Sequence, residues 1–212
     1  MIDNETGPST PASGKTIVFP DSTAKKLFTK DDSGRYWGAP LRNWSIANDP
    51  SAFASDLYVV GSNVLIPSFG LQAGTRYLLR MSASKTGAGT ATPIYTVRIG
   101  AAGTVADTSR LVLTGPAQTA VADIGTLNIL LIVRSVAASG VIQGTAWWEH
   151  RGTAANTTTS GTGFANDSTG HVEGTSAGYD NTAEGGKYIG ISINGGTNAV
   201  WTVTLVDAQI DV

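Results

Sequence analysis

The chain has 212 residues, a formal net charge of −2 and no cysteine. That length holds one large domain, or one domain with an extension, and is enough to bury a sizeable core. The charge balance offers nothing to nucleic acid or to an anionic membrane, and without cysteine there are no disulfides and no thiolate metal sites. Charged residues make up 14%, below the ~25% of ordinary globular chains, and Thr, Ser, Gly and Asn fill the gap. Such a surface suits a turn-rich all-β protein.

Residues 1–14 carry Gly7, Pro8, Pro11 and Gly14 and read as an extended arm without a core of its own. The polar opening, with Asp3 and Glu5, does not resemble a signal peptide. Three short strands are predicted next, at Thr16–Phe19, Lys26–Thr29 and Arg35–Trp37, separated by Pro20–Thr23 and Lys30–Gly34 turns. Strands this short bury too little to stand alone, so the unit needs a partner surface. Gly38–Ser55, with Pro40, Trp44 and Pro50, reads as an irregular connector holding a helical turn at Pro50–Ser55.

From Asp56 the pattern becomes regular: strands at 57–60, 63–67, 75–84, 93–100, 110–114, 124–136, 141–150, 187–194 and 199–210, with Gly-rich turns between them. Tyr77, Leu79, Met81 and Ala83 share one face, and Trp201, Val203 and Leu205 another. About eight strands without a helical period predict an antiparallel β-sandwich of jelly-roll type over residues 56–212, preceded by the arm and hairpin of residues 1–55. The central run is Leu127–Val136. Leu127, Ile129, Leu131 and Val133 point one way and fill the sandwich. Leu130 and Ile132 point the other way, so the strand reads as covered on both faces, with Leu130 and Ile132 at a subunit contact. Trp147 and Trp148 must point to opposite faces. One belongs to the core. The other packs under a loop, sits in a subunit interface or stacks on a sugar ring; the interface is the leading reading, and Trp148 is assigned to it. Residues 152–186 form a long segment poor in large apolar residues, with a short strand near His171–Glu173. Phe164 and Tyr179 either anchor that segment or are presented by it, in which case they are the candidate glycan contacts.

Catalytic and metal signatures are missing. His150 and His171 are the two histidines, no Gly-x-Ser-x-Gly elbow or phosphate-cradling loop occurs, and Gly161-Thr162-Gly163 is followed by Asn166 where a dinucleotide motif needs glycine. Asp31-Asp32-Ser33-Gly34 reads as an ordinary turn, because a calcium loop needs more oxygen ligands at fixed spacing. A non-enzymatic protein without metal or cofactor is expected.

Pro11–Lys15, Asp21–Leu27 and Lys30–Gly34 resemble a segment near the start of tailed-bacteriophage virion proteins. The strands from Ala73-Gly74-Thr75 to Arg98-Ile99-Gly100-Ala101-Ala102-Gly103-Thr104-Val105-Ala106-Asp107 resemble the jelly-roll modules of phage fibres, spikes and head decorations. The resemblance implies a homotrimeric structural component on the surface of the virion. It further implies attachment to other virion proteins through the N-terminal region, with Ile17, Val18, Phe19, Leu27, Phe28, Tyr36 and Trp37 as the attachment residues. A capsid decoration or cement protein bound to the major capsid protein is the preferred expectation. A tail fibre or spike meeting host glycan through the sandwich loops is the alternative.

Overall fold

A computed structural model describes residues 7–46, 55–85, 88–150, 171–197 and 200–212. Among the described residues there are strands and turns and no helix. The expected helical turn at Pro50–Ser55 falls almost wholly outside them.

Fourteen strands are described: β1 (Ile17–Pro20), β2 (Leu27–Lys30), β3 (Tyr36–Gly38), β4 (Leu41–Ser45), β5 (Leu57–Tyr58), β6 (Val64–Leu65), β7 (Arg76–Lys85), β8 (Ile94–Gly100), β9 (Thr108–Thr114), β10 (Asp123–Ser135), β11 (Val141–His150), β12 (Val172–Thr175), β13 (Tyr188–Asn194) and β14 (Trp201–Asp211). They form a six-stranded sheet in the order β12-β11-β10-β7-β14-β4, a second sheet in the order β5-β13-β8-β9 with β6 also on β13, and a small β1-β2-β3 sheet. All pairings are antiparallel. The fold is an all-β antiparallel sandwich, as the sequence predicts.

The alternation that marks the strands also builds the core. Tyr77, Leu79 and Met81 of β7 stand opposite Leu131, Ile129 and Leu127 of β10, and all six are buried. Tyr95, Val97 and Ile99 of β8, with Ile189, Ile191 and Ile193 of β13, face them from the second sheet. Burying a large aliphatic side chain contributes about 1.5–3 kcal/mol, so these rows supply most of the driving force. At the β11–β12 edge, Leu111 and Leu113 of β9 pack so closely on Gly144 and Gly174 that a Cβ there would push their terminal methyls aside. Within the chain the second face of β10 is partly open, with Leu130 and Ile132 half-buried. One correction concerns β4. The connector at Gly38–Ser55 contains β4, which pairs with β14 in register and is the edge of the main sheet. The sandwich therefore begins before residue 55.

The strand buried on both faces is β13, where Ile189 through Ile193 are all buried. Its second face carries Gly190 and Ser192. Tyr58 lies against Gly190, and Ser192 accepts a hydrogen bond from the Arg98 guanidinium at 2.7 Å. Ser62 locks the covering segment in place: its hydroxyl accepts from Ile191 N at 3.1 Å. Burial pushes the Tyr58 phenol well above its ordinary pKa, so it is neutral at any physiological pH. Gly190→Val is expected to force Tyr58 outward and cost about 1–3 kcal/mol, the usual range for overpacking, read as a lower urea midpoint at unchanged slope.

Candidate functional site

The N-terminal sheet packs on its own sandwich. Cross-strand partners share a face, so Phe19 and Phe28 point together, and both are buried. They meet Tyr36 and Phe69 in one cluster, with Tyr36 stacked on Phe69 at 4.0 Å and an interplanar angle of 3°. Asp21 completes the attachment. Its buried carboxylate accepts from Thr23 N at 2.9 Å, Ala24 N at 2.6 Å and Ser68 N at 3.0 Å, and from the Ser68 hydroxyl. The arm follows the same surface: Lys30 Nζ donates to Pro8 O at 2.8 Å and Gly14 N to the Asp32 carboxylate at 2.6 Å. Residues 7–14 and the three short strands thus have a partner, and it is the chain's own body. Asp31 forms the following turn, accepting from Ser33 N and Arg35 N, and the backbone bond from Arg35 leads in holding its pKa below the usual value.

Of the seven residues assigned to attachment, Phe19 and Phe28 face inward and are unavailable to another protein, and Tyr36 and Ile17 are half-buried. The other face of the sheet is different. Val18 lies opposite Thr29, which lies opposite Trp37, and Leu27 lies opposite Pro20. Val18 is 62% exposed, Leu27 58% and Trp37 55%, an apolar surface on a rigid support.

Trp148, expected at a subunit contact, is instead in the core. Its indole N–H donates to the Tyr95 hydroxyl at 2.8 Å, and its ring meets Trp201 edge-on at 5.5 Å. The pleat therefore puts Trp147 on the outer face of the six-stranded sheet, half-buried. Leu130 and Ile132 share that face with Leu78, ringed by Arg76, Arg80, Gln143, Thr145 and Gln209.

One row of this face runs straight across five strands. Trp147 is opposite Asn128, Asn128 opposite Arg80, Arg80 opposite Asp207, and Asp207 opposite Trp44. Asn128 Nδ2 is buried and has no hydrogen-bond partner. It lines a depression of about 250 Å³ with Leu78, Arg80, Trp147, Asp207 and Gln209. Arg80 and Glu149 lie 4.0 Å apart, both more than half exposed. No sequence pattern announces this row, because its members come together only through long-range register.

Tyr179 anchors its segment rather than being presented by it. Its backbone bridges to Gly140, Arg110 stacks on its ring at 4.1 Å, and burial raises its phenol pKa. Glu184 is buried and paired with Lys187 at 2.7 Å and Arg110 at 3.3 Å. Phe164 lies outside the described residues, as does the His150 side chain. His171 is exposed beside Thr145 and Glu173. Among the described residues no three His, Asp or Glu side chains gather into a metal-holding cluster.

No family model matches the chain. No curated protein matches it either. Among solved structures it is similar to the lectin UEA-II complexed with galactose, at 7% identity and a TM-score of 0.31 over 95% of this chain and 100% of that one. It is also similar to the CBM2 module of the evolved Dit of Lactobacillus casei BL23 phage J-1, at 10% identity and a TM-score of 0.32 over 82% and 90%. A third likeness, at 14% identity and a TM-score of 0.21 over 93% and 95%, is to the alginate lyase A1-II'. Similarity this distant carries nothing about ligand or partner, and the sandwich stands on the chain's own strands.

Proposed function

We propose that the chain is a non-enzymatic structural protein of a tailed-phage particle, attached to another virion protein through the outer face of its β1-β2-β3 sheet. A capsid decoration role, with the major capsid protein as the partner, is the preferred form. The observation that carries this reading is the pairing of opposite faces on one small sheet. One face is locked to the sandwich by Phe19, Phe28, Tyr36 and Asp21, while the other exposes Val18, Leu27 and Trp37. A rigid apolar patch loses little conformational freedom on docking, which favours affinity. The resemblance of the N-terminal segment to virion proteins supports the same assignment.

Deleting residues 1–37 is a poor test, because it would strip Phe69 of its cover. Val18→Asp, Leu27→Asp and Trp37→Asp change only the exposed face. Combined, they are expected to cut co-sedimentation with particles lacking the protein at least tenfold, with the melting temperature nearly unchanged. Particles lacking the protein are expected to rupture at lower temperature. Intact particle stability together with lost adsorption to host cells would instead put the chain on a tail fibre or spike.

A further inference from the structure

We propose that the outer face of the six-stranded sheet is a binding platform for a neutral oligosaccharide laid across the strands along the row Trp147–Asn128–Arg80–Asp207–Trp44. The platform does not depend on where the particle carries the chain, nor on the attachment face, which belongs to a different sheet.

The row has the chemistry a sugar asks for. A pyranose ring presents an apolar C–H face and a rim of hydroxyls that both donate and accept. Trp147 supplies a half-buried aromatic surface at one end, and Trp44, 67% exposed, a second at the other. Between them stand donors on Asn128 and Arg80 and acceptors on Asp207 and Gln209. Four strand spacings separate the two indoles, roughly 19 Å, enough for a short oligosaccharide. Asn128 is the most specific pointer. Its amide donor has no partner, and the residue lines the depression beside Trp147, so a turn of the side chain toward the recess would let an incoming hydroxyl satisfy it. The depression has an aromatic wall and a few convergent polar groups, a lining that small-ligand sites share.

Other occupants fit less well. Arg42, Arg76, Arg80 and Arg134 on this face are balanced by Glu149, Glu173, Asp207 and Asp211, so it has no sign of charge with which to hold a polyanion. A second copy would have to desolvate Arg80 and Asp207 for the sake of three half-buried aliphatics, whereas interface cores are depleted of charge and bury ~800 Å² per partner.

The test uses the full chain on a printed array of neutral and acidic bacterial surface oligosaccharides of two to six units. The best-bound neutral glycan is then titrated calorimetrically. Neutral glycans are expected to bind, with Trp147→Ala and Asn128→Leu each weakening binding at least tenfold while the melting temperature falls by no more than a few degrees. Trp44→Ala should weaken only glycans long enough to reach β4, and Trp37→Ala should have no effect. Failure of every neutral glycan to bind at millimolar concentration would overturn the proposal. So would binding restricted to acidic glycans, or binding indifferent to both Trp147→Ala and Asn128→Leu. A sedimenting trimer that Trp147→Ala converts to monomer would assign the face to a second copy.

Discussion

Replacing Asp21 by alanine is expected to remove about 3–5 kcal/mol of stability: three backbone N–H groups and one hydroxyl lose their acceptor at about 1–3 kcal/mol each, offset in part because a charge no longer has to be buried. The carboxylate is fully buried and serves two ends of the chain: it closes its own turn through Thr23 and Ala24, and it holds Ser68, 47 residues away. Alanine takes that acceptor away from donors on half-buried residues beside the small sheet. For a domain of this size each kcal/mol moves the melting temperature ~2–4 °C, so a drop of roughly 6–20 °C follows. Asp21→Asn keeps the shape and part of the hydrogen bonding and should fall between wild type and alanine. A loss of less than about 1 kcal/mol for Asp21→Ala would mean that the aromatic contacts alone hold the N-terminal sheet. If the sheet is the attachment surface, the same variant should also weaken particle binding, because Val18, Leu27 and Trp37 would no longer be held in one plane.

The second large effect separates two neighbours. Trp148→Ala is expected to cost about 3–5 kcal/mol, as for other buried aromatics. It opens a cavity between the sheets, removes the edge-on contact to Trp201 and strands the Tyr95 hydroxyl, which burial already keeps neutral. Trp147→Ala, one residue earlier on the outer face, should cost less than about 1.5 kcal/mol because no core cavity forms. Chemical denaturation of the pair measures the contrast directly. Equal losses would contradict the pleat assignment on β11.

The sandwich was legible where burial and sequence period coincide. In β7 from Tyr77 to Ala83 and in β10 from Leu127 to Val133 the inner positions are apolar, and alternation alone places Tyr77, Leu79, Met81, Leu127, Ile129, Leu131 and Val133 inside. Where the two part company, the reading slips. β4 turns Leu41, Asn43 and Ser45 inward and Trp44 outward, and Asn43 is satisfied by the Asn63 carbonyl at 2.7 Å, so no apolar period marks the strand. β13 is covered on both faces, yet its second face is glycine and serine because Tyr58 and Arg98 occupy the space. The doubly apolar β10, by contrast, has a half-open second face. The Trp147-Trp148 pair shows the same limit. Opposite faces follow from the pleat, but which residue is inside depends on register with β10, where Leu127 stands opposite Trp148. The saccharide row was invisible for a related reason: Trp44 and Trp147 are 103 residues apart in the chain and meet only through four strand pairings.

The position of β14 has a kinetic consequence. β14, residues 201–211, lies between β7 and β4, and among the described residues β4 pairs with no other strand of that sheet. Until residues 201–211 have emerged during synthesis, β7 has an open edge, β4 has nothing to pair with, and the inner row of β7 is short of its Ala208 and Ile210 neighbours. Closing this sheet joins β7 and β14 residues 116 to 135 positions apart, a slow kind of contact to form. The nascent protein therefore passes through a stage with an exposed apolar edge, the kind of species that aggregates. Yield during expression should depend more on temperature and chaperone supply than the stability of the finished sandwich would suggest.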